Sequence, residues 1–229
     1  MGTIALAGGG EFSGKIKLLD HRTMEAAGGW GAAVSIIPAA AAPDNNHIRA
    51  GENGVRWFKE LGVADVKSLP LIDRPSADLP AVVSALRHSK MIYLLGGFTG
   101  HLATALAGSR AWYAILAALD DGAVISGSSA GAMVLCEHFY EPRQKSLLPG
   151  LNLIPGMCIL PHHDTFGKAW APRLKQLIPE ATLIGVDERT GLIGDQARGN
   201  WQVWGGGSVV IYRNGQAQKL MNGETFFLD

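Results

Sequence analysis

The pentapeptide Gly127-Ser128-Ser129-Ala130-Gly131 sets a serine among small residues, after an apolar run at 123–126 and before a helical pattern at 132–136. In a strand–turn–helix setting, a G-x-S-x-G pattern lifts the serine hydroxyl above the carboxyl edge of a sheet, where it can act as a nucleophile. Small neighbours suit so sharp a turn. Backbone N–H groups at a helix start favour a developing negative charge. The same residues also fit an N-cap serine in an ordinary strand-to-helix turn. Ser128 is the competing hydroxyl, one residue early for the elbow.

A hydroxyl nucleophile needs a base. His162 and His163 follow the apolar run 157–160, at a strand end, where active sites of open α/β sheets collect. Histidines 21, 47, 88, 101 and 138 sit in helical or polar surroundings. Two adjacent histidines suit a metal, but no third ligand stands at a suitable spacing, so a metal site is not expected. An oxyanion site needs backbone donors. Ala130 N–H is one, and the Gly96-Gly97 turn after the run 91–95 can bring a second, having no Cβ to hold it off. Gly8-Gly9-Gly10 also follows an apolar run, yet it matches neither a dinucleotide fingerprint nor a P-loop.

The elements that must position these groups read as alternating strands and helices. Strands are expected at 3–7, 32–38, 66–71, 91–95 and 123–126. Helices are expected at 15–27, 48–61, 79–88, 100–106 and 111–119. In the helix 48–61, Val55, Phe58 and Leu61 share a face and Gly62 ends it. Continuous apolar strands alternating with helices predict an α/β fold: an open, mostly parallel sheet with helices on both faces. After residue 150 the pattern changes. Strands at 157–160 and 182–186 flank a helix at 169–177. Short strands at 191–193, 202–204, 209–212 and 218–220 predict antiparallel hairpins near the C-terminus, with Arg213-Asn214-Gly215 as a turn. No repeat, charge block or linker divides the chain, so a single domain over residues 1–229 is expected.

Composition sets the outer bounds. The 229 residues are 47% hydrophobic and 17% charged, enough apolar material for a sizeable core. Lysine plus arginine and aspartate plus glutamate both number 20, giving zero formal charge and no long-range attraction for nucleic acid. No apolar run approaches the ~20 residues that span a bilayer, and no signal-peptide pattern opens the chain. Cys136 and Cys158 read as buried thiols in a reducing compartment. A soluble cytoplasmic protein, without membrane contact, is expected. Trp201 and Trp204 suit either a core or the interface of a homodimer.

With these residues in place, the chain resembles the dipeptidase E and cyanophycinase family of serine peptidases. Three blocks carry the likeness in order: Leu94-Leu95-Gly96-Gly97-Phe98-Thr99, then Ser129-Ala130-Gly131-Ala132, then Leu151-Asn152-Leu153-Ile154-Pro155-Gly156 leading to Pro161-His162. The downstream stretch Gly185-Val186-Asp187-Glu188-Arg189-Thr190 resembles the family's Gly-Ile-Asp-Glu block. The resemblance implies a fold like the class I glutamine amidotransferases, with serine in place of their cysteine. It implies cofactor-free hydrolysis of a peptide bond, often beside an aspartyl residue, in a small peptide substrate. It implies Gly97 and Ala130 as oxyanion donors and His162 as base, with His163 the alternative one residue on.

One departure matters. The family pattern places an acidic triad member between the serine and the histidine, but Arg143-Gln144-Lys145-Ser146 occupies that stretch. Glu141 is the first choice, Glu137 on the helix after Cys136 the second, and Asp164 lies just past the histidines. Arg173 roughly matches a family arginine that would bind an acidic side chain, with Lys168 as the alternative; both also fit the exposed face of the helix 169–177. Two rival readings frame the expectation. An α/β-hydrolase esterase would carry its histidine far downstream, and none follows His163. A binding or regulatory module with decayed catalysis would explain the missing acid.

Overall fold

A computed structural model describes residues 2–195 and 199–228. In chain order the first half contains β1 (Thr3–Ala7), α1 (Lys17–Ala26), β2 (Val34–Ile37), α2 (His47–Glu60), β3 (Val66–Ser68), α3 (Pro80–Arg87), β4 (Met91–Leu94), α4 (Thr99–Leu106), α5 (Arg110–Asp120), β5 (Val124–Ser128) and α6 (Ala130–Leu135). The second half contains β6 (His138–Glu141), β7 (Ser146–Pro149), β8 (Met157–Leu160), α7 (Ala171–Leu177), β9 (Thr182–Val186), β10 (Thr190–Asp195), β11 (Asn200–Gly205), β12 (Ser208–Arg213), β13 (Gln216–Met221) and β14 (Thr225–Phe227).

Strands β3, β2, β4, β5 and β1 lie side by side in parallel. Their interior members are buried residue after residue, as strands covered on both faces must be. Strands β10, β11 and β14 continue the same sheet antiparallel beyond β1. Here the pattern alternates: Trp201 and Val203 point into the core while Gln202 does not. Trp201 is a core residue, and Trp204 lies under the Arg22 guanidinium, 5.0 Å from its ring centre. Gly51 and Gly54 let α2 approach the sheet closely; a Cβ on Gly51 would stand 2.1 Å from Ser68 Oγ. Ser109 caps α5, its hydroxyl accepting from Trp112 N–H at 2.9 Å.

The α/β architecture and its late antiparallel strands follow the sequence pattern. Two local expectations need correction, the length of the strand from residue 66 and the helical place of Glu137, and two arrangements come from the structure alone, the pairing of β8 with β9 and the hairpin at 138–149. The strand from residue 66 stops at Ser68, because Pro70 has no N–H for the ladder. The pair β8 and β9 does not extend the main sheet. It forms a second sheet, in the order β13-β12-β9-β8, with β8 and β9 parallel. Residues 138–149 form an antiparallel hairpin, β6–β7, whose turn carries Arg143-Gln144-Lys145. The helix after Ser129 ends at Leu135, so Glu137 is not on it; its carboxylate accepts from Gly156 N–H at 2.8 Å. The expected turn at Asn214-Gly215 is present, both residues at positive φ as a two-residue hairpin requires. Among the described residues no single helix is long and apolar enough to cross a membrane.

Candidate active site

Three adjacent strands end at one place. After β1 comes Gly8-Gly9-Gly10, after β4 Gly96-Gly97, and after β5 Ser129. Ser129 has φ 48° and ψ −108°, a sparsely populated conformation that is held by its surroundings. Its N–H donates to Ala7 O at 2.9 Å. The small neighbours are obligatory: a Cβ on Gly127 would sit 2.4 Å from Gly131 C, and one on Gly131 only 2.1 Å from Leu94 O. Ser128, the competing hydroxyl, is fully buried within β5.

Ser129 Oγ lies 3.0 Å from His162 Nε2. The other ring nitrogen, Nδ1, lies 2.9 Å from Glu188 Oε1. Glu188 is held in turn: its N–H donates to Asp164 Oδ1 at 2.9 Å. His162 itself has φ 49°, its N–H donates to Gly8 O at 2.8 Å, and its ring stacks on Phe166 at 4.8 Å. Register explains why these two side chains meet. β8 and β9 run parallel with Leu160 opposite Gly185, so the residues just past each strand emerge side by side.

The structure therefore brings Ser129 and His162 together and assigns the imidazole a carboxylate that none of Glu141, Glu137 and Asp164 provides. Glu141 lines the same pocket, but its carboxylate accepts from Arg143 N–H at 3.2 Å and faces Gly100. Asp164 supports Glu188 and does not touch His162. His163 is turned away: its Nε2 is 2.8 Å from Tyr212 OH, its Nδ1 is 3.6 Å from Asp187 Oδ1, and its ring packs on Gly185. Burial holds the His163 imidazolium below its ordinary pKa, partly offset by the Asp187 carboxylate. Arg173 and Lys168 are exposed and do not line the pocket at Ser129.

Gly97 and Ser129 border one pocket, and the Gly96 Cα is so near that a Cβ there would stand 3.3 Å from Ser129 Cβ. Gly97 has φ 137° and packs on Ala40, leaving no space for a side chain. Ala130 opens α6 directly after the serine. Beneath this turn lies a group the sequence reading overlooked. Glu11 Oε1 accepts from Gly96 N–H at 3.4 Å, and burial, the largest influence, holds its carboxyl above the usual carboxylate range. Among the described residues, no group of three His, Cys, Asp or Glu side chains is arranged to hold a metal ion.

A strained serine on a strand-to-helix turn, an imidazole on its oxygen and a carboxylate behind that imidazole form the arrangement of the serine hydrolases. The chain belongs to peptidase family S51, whose model matches residues 4–198. It is 26% identical over 226 residues to a cyanophycinase of Synechococcus elongatus, covering 92% of this chain and 67% of that protein. It is 28% identical over 231 residues to a cyanophycinase of Geminocystis herdmanii, covering 96% of this chain and 83% of that one. Among solved structures it superposes on a peptidase from an acI-B1 actinobacterium with a TM-score of 0.87 at 28% identity, covering 100% of this chain and 97% of the other. It is a serine-type peptidase.

Proposed function

We propose that the chain hydrolyses a peptide bond through an acyl-enzyme on Ser129. The observation that carries this reading is the continuous relay of Ser129 Oγ, His162 and Glu188, at 3.0 and 2.9 Å. In this reading His162 Nε2 takes the hydroxyl proton as Ser129 attacks the carbonyl carbon. The Ala130 and Gly97 N–H groups receive the oxyanion, in a turn whose geometry is fixed before substrate arrives. The tetrahedral intermediate collapses with the scissile C–N bond breaking, and His162 returns its proton to the leaving amine. Water, deprotonated by the same imidazole, then cleaves the ester. Glu188 holds the Nδ1 proton and stabilises the imidazolium without itself becoming protonated. No step calls for a cofactor.

The rival reading, a module with decayed catalysis, rested on a missing acid, and Glu188 supplies a carboxylate at the required nitrogen. The aspartyl preference implied by resemblance draws no support from Arg173 or Lys168, which stay outside the pocket. Hydrolysis of a peptide library by the parent and by Ser129→Ala, side by side, tests the proposal. Cleavage by the parent and loss in the variant support it; equal rates would overturn it.

A further inference from the structure

The loop after β1 reaches both halves of the site. Gly8 O accepts from His162 N–H at 2.8 Å, and Gly9 O accepts from Arg189 N–H, next to Glu188, at 2.8 Å. Two residues on, Glu11 turns inward to the Gly96-Gly97 turn. Phe12 fixes that direction. It has φ 60°, an outlying value for a bulky residue, which its surroundings must hold in place. Its ring packs on Tyr93 at 5.5 Å and on Phe58 at 6.4 Å. Gly54 leaves room for it, since a Cβ there would stand 2.9 Å from Phe12 Cζ.

Glu11 meets the site at close range. A Cβ on Gly96 would stand 3.2 Å from Glu11 Oε1 and 3.3 Å from Ser129 Cβ, so the carboxyl and the nucleophile crowd around one α-carbon. Gly96 N–H donates to Glu11 Oε1 at 3.4 Å, and Phe98 N–H donates to Ala40 O at 2.8 Å. Between these two tied groups, the Gly97 N–H has no acceptor among the described residues. Glu11 is not part of the pocket lining that Ser129 borders, and its Oε2 is buried without a hydrogen-bond partner among the described residues. Burial, opposed by the Ser128 hydroxyl and the Gly96 N–H, holds its carboxyl above the usual carboxylate range. A neutral acid in this place sets no charge opposite an oxyanion.

Resting on the acyl-enzyme reading above, we propose that Glu11 is a positioning residue: its carboxyl holds the Gly96 peptide so that the Gly97 N–H is aimed at the oxyanion formed on Ser129. It acts through the turn and touches neither the substrate nor the reacting atoms. An oxyanion donor is effective because it is aimed before charge develops, and the rate falls steeply when it is displaced. What the turn needs from Glu11 is an acceptor oxygen at full side-chain reach.

The test is the rate at which a fluorophosphonate labels Ser129. In that reaction the Oγ–P bond forms, the P–F bond breaks, His162 takes the hydroxyl proton and the phosphoryl oxygen draws on the same donors. Rates are compared for variants that circular dichroism shows to be folded. Glu11→Ala should slow labelling by about 10-fold or more, short of the cost of about 10²–10³-fold for deleting a donor outright. Glu11→Asp keeps the acid but withdraws its oxygen by one methylene, and should be slowed by about 10-fold as well. Glu11→Gln keeps the reach and an acceptor oxygen, and should stay within about threefold of the parent. On a peptide that the parent cleaves, the Glu11→Ala loss should fall on kcat, with KM within about twofold. Labelling of Glu11→Ala or Glu11→Asp at the parent's rate overturns the inference and leaves the peptidase reading standing. So does Glu11→Gln as slow as Glu11→Ala, or a loss carried by KM. A folded parent that takes no label on Ser129 overturns both.

Discussion

The ring of His162 lies directly over the α-carbon of Gly9, so close that a β-carbon on residue 9 would stand 2.3 Å from Cε1 and 2.7 Å from Nδ1. Gly9 also has φ 131°, which other residues seldom adopt. The glycine run after β1 thus serves as the floor under the imidazole. Gly9→Ala should push the ring off the Ser129 Oγ line and lower kcat by about 100-fold, the usual cost of misplacement by about 1 Å. Circular dichroism should still report a folded protein, melting somewhat lower because of backbone strain. An unchanged kcat would mean that the ring position is immaterial.

Glu188→Gln should lower kcat by about 10²–10⁴-fold, because an amide neither stabilises the imidazolium nor fixes the Nδ1 proton as a carboxylate does. Glu137→Gln should stay within about twofold of the parent, since its link is to Gly156 N–H and an amide oxygen can accept that bond. Steady-state kinetics on one substrate checks both. Equal losses in the two variants would remove Glu188 from the relay.

Asp164→Ala should act through Glu188. It removes the acceptor of the Glu188 N–H and should lower kcat by about 10-fold with KM little changed. The double variant with Glu188→Gln should be no slower than Glu188→Gln alone. Multiplicative losses would assign Asp164 a separate role.

Asp20 supplies a pH test of stability. Burial, offset by a hydrogen bond from Trp57, pushes its carboxyl from an ordinary value of 3.8 up to about 7. The unfolded chain therefore ionises first as pH rises, and the folded state keeps its proton until about 7. Stability is full below pH 3.8 and falls as pH rises toward 7, by on the order of 4 kcal/mol at most from this group. Asp20→Asn cannot ionise, so its melting temperature should fall less than the parent's between pH 4 and 7. Parallel melting curves across that range would refute this assignment.

Much of this was legible in the sequence for local reasons. Continuous apolar runs marked the buried parallel strands, and a serine among small residues after one of them marked the elbow. Asn214-Gly215 marked its hairpin because only positive-φ residues fit such a turn. What escaped depends on contacts between distant segments. Glu188 stands in the block 185–190 that shares the family likeness, but chain order points to carboxylates nearer the serine and the histidines, Glu137, Glu141 and Asp164. Its role comes from the parallel pairing of β8 and β9, which places the ends of two strands next to each other whatever their order. A βαβ reading of residues 157–186 carries that signal, since such units are parallel and right-handed. His162 and His163 were inseparable by spacing, and packing on Gly9 and on Gly185 distinguishes them. Glu11 shows no local sign, because its partner, the Gly96 N–H, belongs to a distant turn of the chain.

The central claim is that Ser129 is a nucleophile activated by His162. Intact-mass spectrometry after exposure to a fluorophosphonate tests it without knowledge of the substrate. The account predicts one covalent adduct, mapped to Ser129 by peptide fragmentation, absent in Ser129→Ala and formed far more slowly in His162→Gln. A folded parent that takes up no label, or label equally in Ser129→Ala, would contradict it.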